Sequence, residues 1–135
     1  MLLYHISVYP LENPYTFHPR IPTGISSYED HHTPRICFAP SLEQAITATG
    51  YNLKENNVIY FAILDTNTIS TKHIVFPETL WEQEAVPDVC LTEEHWITCP
   101  VTLPTHKAVI QQITYEADHN TDMIIARDVI LKTDG

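Results

Sequence analysis

Positive charge is what this chain has least of: Lys and Arg number 7 against 17 Asp and Glu, a formal charge of -10 over 135 residues. That balance argues against duplex DNA and anionic membranes as partners, since both demand rows of neutralising cations. A small anionic ligand needs only one or two well-placed arginines. Long apolar runs are missing as well. Nothing approaches the roughly 18 consecutive apolar residues of a membrane helix, and the chain enters a strand pattern without a basic leader, so the expected location is the cytoplasm. Cysteine is limited to Cys37, Cys90 and Cys99, an odd set without C-x-x-C spacing. The spacing disfavours a disulfide framework and a four-ligand zinc site, and leaves reduced core thiols as the expectation. Glycine, at 3 residues, is low against 10 prolines, so proline punctuates the chain.

What is present reads as one globular domain over residues 1–135, 44% apolar and 18% charged, long enough to bury roughly two thirds of its unfolded surface. Strand patterns run from Leu2 to Val8, Val58 to Leu64, His73 to Phe76, Glu94 to Cys99, Ala108 to Tyr115 and Met123 to Leu131. The last two are joined as a hairpin through Asp118-His119-Asn120-Thr121. One clear helix starts at Ser41 and stops at Gly50, and Trp81 to Glu84 suggests a helical turn. The proline-bearing stretch from Pro10 to Pro34 reads as a long loop, of the kind that covers binding sites. The fold class is therefore α+β, a twisted mixed or antiparallel sheet with one main helix. The pattern shows no internal repeat and no low-complexity tract.

The densest chemistry lies in Pro34-Arg35-Ile36-Cys37-Phe38-Ala39-Pro40-Ser41-Leu42-Glu43-Gln44-Ala45, a short buried strand turning directly into a helix capped by Ser41, with Gln44 as its capping-box partner. A cation, exposed backbone N–H groups and a positive helix end gather there, a combination that suits a phosphate or carboxylate. His5 lies on a second apolar strand. Arg20, between Pro19 and Pro22, has a stiffened backbone that lowers the entropy lost when its guanidinium meets a phosphate. Tyr28 or Trp96 could cover a ring. Each residue also has a structural reading: His5 as a hydrogen-bonded core histidine, Arg35 as the partner of Glu29 or Asp30, Glu93 and Glu94 as the polar edge of a strand. Asp30, His31 and His32 are sequence neighbours whose side chains diverge in extended chain, so no metal site is expected.

Leu3-Tyr4-His5-Ile6-Ser7 resembles the opening strand of the ADP-ribosyltransferase-like fold. Arg35 to Ala45 resembles that fold's strand followed by a Ser-headed helix, and Glu94-His95-Trp96-Ile97 its third motif, where a glutamate leads a strand. The Leu-Tyr-His-Ile-Ser start, the Pro-Arg-Ile-Pro loop and the Pro-Arg-Ile-Cys strand are also similar to small uncharacterised bacterial and phage proteins, over roughly Leu2 to Val101. The resemblance implies a cleft for an ADP-ribose-type or related cyclic nucleotide. In it His5 would bond a ribose hydroxyl, Arg20 and Arg35 would meet phosphates, and Cys37, Ser41, Tyr28 and Trp96 would line the site. Cys37 stands where the His-Tyr-Glu subclass carries the tyrosine that stacks on nicotinamide. The expectation is accordingly a binder that needs no cofactor, with sequestration of a host immune signal as the role the phage resemblance implies. Two alternatives stay open. One is an active transferase using NAD, with Glu94 as the catalytic carboxylate; the other is an acidic protein-interaction module. Ligand identity and oligomeric state are not legible in the sequence.

Overall fold

Alternating burial along the strands decides how this chain layers. The computed structural model describes residues 1–23, 29–50, 52–85, 89–121 and 123–133. In chain order its strands are β1 (Leu2–Ser7), β2 (Tyr15–Phe17), β3 (Ile36–Phe38), β4 (Val58–Asp65), β5 (Ile74–Val75), β6 (His95–Ile97), β7 (Val101–Leu103), β8 (Thr105–Ala117) and β9 (Ile124–Thr133). The helices are α1 (Leu42–Thr49), α2 (Pro77–Glu82) and α3 (Val89–Thr92). Three antiparallel sheets form, with strand orders β1-β4-β8-β9, β3-β6-β5 and β2-β7. The α+β class with a mostly antiparallel sheet is as the sequence predicts.

Because side chains alternate across a strand, the four-stranded sheet buries two different sets. Ile59 and Phe61 of β4 pack with Ile6, Ile110 and Ala126 against Ala45 and Ile46 of α1. Ala62 and Leu64 face the other way, into a core shared with Leu3, Phe17, Phe38 and Ile97. The β3-β6-β5 sheet repeats the logic one layer further out: Ile36, Ile74 and Ile97 point inward, while Cys37, Val75 and Trp96 meet Leu80 and Val89 of the short helices. Helix α1 covers one face of the large sheet and the small sheets the other, and α1 also reaches α3 directly, the Gln44 side-chain amide donating to the Leu91 carbonyl at 3.2 Å.

Helix α1 is specified at both ends. The Ser41 hydroxyl accepts from the Gln44 backbone N–H at 3.1 Å, and Gly50 closes the helix in the left-handed region at φ 70°. Thr47 ties the helix to the large sheet by accepting from the Ala126 N–H at 3.0 Å and donating to the Glu43 carbonyl at 2.8 Å.

Three expectations change. The stretch from Pro10 to Pro34 contains β2, whose partner β7 lies far along the chain; a three-residue strand is too short for a period-2 signal. The strand expected from His73 begins at Ile74, because Thr71–His73 forms a 3-10 turn. Cys90 is exposed on α3 rather than a core thiol, while Cys37 and Cys99 are half-buried.

Candidate functional site

Strand β1 meets the chain at one rung just beyond the end of β3. Tyr4 and Ala39 exchange both backbone hydrogen bonds, at 2.7 and 2.9 Å. Two residues back along β3, the Cys37 carbonyl accepts from the His5 ring at 2.8 Å. Beyond this contact lies a cleft of about 860 Å³, within the size range of small-molecule sites. Its walls come from β1, from β3 and from the proline-bearing segment around Arg20 and Pro22, with Ala45, Ala48 and Thr49 from the middle and C-terminal end of α1 behind.

Five residues nominated from distant parts of the sequence meet on these walls: His5, Arg20, Arg35, Cys37 and Glu94. Arg20 and Arg35 are direct backbone partners, exchanging N–H to carbonyl bonds at 3.2 and 3.0 Å, which puts both side chains on one face of a two-residue ladder.

The arginines are differently employed. Arg35 is 2% exposed. One terminal nitrogen donates to the carbonyls of Asp30 at 2.7 Å and Thr33 at 3.1 Å, and the other pairs with the Glu29 carboxylate at 3.7 Å. Its guanidinium lies 4.0 Å from the centroid of the Trp96 ring, a desolvated cation–π contact worth about 2 kcal/mol. The structural reading of Arg35 as a partner of Glu29 therefore holds. Its Nε–H is buried without a hydrogen-bond partner. Arg20 is exposed, and among the described residues its guanidinium has no carboxylate in ion-pair contact.

His5 is half-buried, its ring edge-on to Phe17 at 4.9 Å and tilted against Phe38 at 5.5 Å. Burial pushes its pKa down. The bond to the Cys37 carbonyl works in the opposite direction, and the Arg20 charge lowers the pKa further. Since a carbonyl only accepts, Nδ1 carries the proton, and the neutral ring is left with an accepting lone pair on Nε2. Burial likewise raises the Cys37 thiol well above its ordinary range. The Glu94 carboxylate reinforces this by charge and by accepting a hydrogen bond, and outweighs Arg35. Cys37 is a protonated donor at neutral pH, not a thiolate nucleophile.

Ser41 and Trp96 lie off the cleft. The Ser41 hydroxyl is occupied at the helix cap, bonded to Gln44 at both its backbone and side chain. Trp96 is 2% exposed, with Arg35 over its ring, so it cannot stack on a ligand from the cleft. Tyr28 lies outside the described residues. Aromatic surface on the walls comes instead from Tyr4, Tyr9, Tyr15 and Phe17, which sequence reasoning did not nominate. Tyr9 is 73% exposed at a turn that Ser7 fixes, its hydroxyl accepting from the Tyr9 N–H at 3.0 Å and donating to the Tyr9 carbonyl at 2.8 Å. The Ser7-Val8-Tyr9-Pro10 exit from β1 was the available signal.

Among the described residues no group of three or more metal-binding side chains comes together, and no helix is long and apolar enough to cross a membrane. No protein-family model, curated protein or solved structure matches this chain.

Proposed function

We propose that this protein binds an ADP-ribose-type or related cyclic nucleotide in the cleft between β1, β3 and the proline-bearing segment, without turning it over, on an ADP-ribosyltransferase-like fold. One observation carries the reading: a neutral histidine whose free nitrogen can only accept, in one cleft with an arginine that, among the described residues, has no carboxylate in ion-pair contact, the cleft being large enough for a nucleotide. His5 accepts from a sugar hydroxyl, Arg20 pairs with a phosphate, and a tyrosine on the wall, Tyr9 by its exposure, carries the base. The phage resemblance extends this to sequestration of a signalling nucleotide. Catalysis is disfavoured by Cys37, whose thiol engages the Glu94 carboxylate that a transferase would aim at the ribose.

Calorimetric titration of nucleotides into the protein tests the reading, with retention of the unmodified nucleotide as the expected result. The second reading, an NAD-consuming transferase, is favoured by the place of Glu94 on the same wall as His5. It predicts nicotinamide release that Glu94→Gln abolishes; the binder predicts no release, with affinity for nucleotide nearly intact in that variant.

A further inference from the structure

We infer that the cleft selects a nucleotide carrying a single negative charge, a cyclic phosphodiester, over one carrying a pyrophosphate. This rests on the nucleotide reading above and decides between the ligand classes it leaves open. The chain has only seven Lys and Arg residues, and of these Arg20 and Arg35 alone line the cleft. Arg35 brings no spare charge, because the Glu29 carboxylate sits 3.7 Å from its second terminal nitrogen and Glu29 lines the same wall. A second carboxylate, Glu94, is also on the wall. The two arginines and two glutamates cancel formally, inside a chain of net charge -10.

A pyrophosphate would bring two charges to one available guanidinium, and the second would face Glu29 or Glu94 at low effective dielectric, where like charges repel strongly. A phosphodiester brings one charge on two equivalent oxygens. Arg20, exposed on the cleft wall, supplies both the ion pair and the N–H donors that the two oxygens need, whereas Arg35 is buried and committed to Glu29. The sugar hydroxyls are donors and find an acceptor in His5 Nε2. Donor, acceptor and charge counts thus agree on a monoanion with free hydroxyls.

The test is a calorimetric panel on the full chain with cyclic AMP, ADP-ribose and adenosine, which share the base and carry one, two and no charges. The expected result is cyclic AMP binding at least roughly tenfold tighter than either of the others. Arg20→Gln, at an exposed position, should bring cyclic AMP down to the affinity of adenosine. Glu29→Gln adds one formal charge to the cleft and should narrow the gap between cyclic AMP and ADP-ribose. ADP-ribose binding as tightly as cyclic AMP, or a preference that survives Arg20→Gln, overturns the inference and leaves the nucleotide reading standing. Binding of none of the three overturns both.

Discussion

At the scale of single residues, the two arginines separate structure from recognition. Arg35→Ala removes a buried cation from above Trp96 and breaks its ion pair with the Glu29 carboxylate, a change expected to cost on the order of 3–5 kcal/mol. Thermal denaturation should show a large fall in Tm. Arg20→Gln should leave Tm nearly unchanged and weaken nucleotide binding tenfold or more in calorimetry. Half of this contrast was legible in the sequence, which offered both arginines as phosphate contacts and Arg35 also as the partner of Glu29 or Asp30. The sequence does not reveal that the two face each other across one backbone ladder, or that Arg20 is the exposed one. Trp96 fails as a stacking residue for the same reason, since its occupied face is set by the register that pairs Cys37 with Trp96. Titration gives a second residue-scale prediction. His5 and His95 both have pKa values held below 6.5, each mainly by burial, so the unfolded chain binds protons more readily than the folded one. Their contribution to stability is complete above about pH 6.5 and is lost as pH falls below it, at up to about 1.4 kcal/mol per pH unit for each ring. Cys37 has the opposite sign: its raised thiol makes stability fall as pH climbs past 9.0. Urea denaturation followed across this range should give a plateau between the two limits and a decline on either side.

At the scale of elements, α1 was the most legible because its signals are local: a capping serine, a glutamine three residues on, and a glycine where the backbone turns left-handed. Gly50→Ala should cost about 1 kcal/mol, since a side chain there meets no neighbour within 4 Å and the penalty is the backbone conformation alone. The bond that fastens α1 to the large sheet was not legible. It joins Thr47 to the Ala126 N–H across 79 residues, and a threonine in a helix gives no sign of what it will meet. Thr47→Val keeps the shape and strands that N–H, so we expect a loss of about 1–3 kcal/mol in chemical denaturation. Strand β4 was readable as an unbroken apolar run of strand length, and β8 and β9 from their strand patterns. The pair β2 and β7, three residues each, was not, because each is defined by its partner rather than by its own pattern.

At the scale of the whole molecule, the proposed function rests on convergence. His5, Arg20, Arg35, Cys37 and Glu94 are spread over most of the first hundred residues and meet on one cleft because β1 meets the chain at a single rung just beyond the end of β3 and the proline-bearing segment folds back onto β3. A net charge of -10 surrounds that cleft, so the exposed Arg20 guanidinium, which has no carboxylate in ion-pair contact among the described residues, is the feature that draws an anion in. Imidazole nitrogen NMR tests this most directly, because His5 reports its own tautomer and the ligand beside it. At neutral pH, His5 should appear as a neutral ring protonated at Nδ1, and addition of nucleotide should shift its Nε2 resonance while His106 and His119, away from the cleft walls, stay still. A charged or Nε2-protonated His5, or a nucleotide that binds without moving its resonances, would contradict the account.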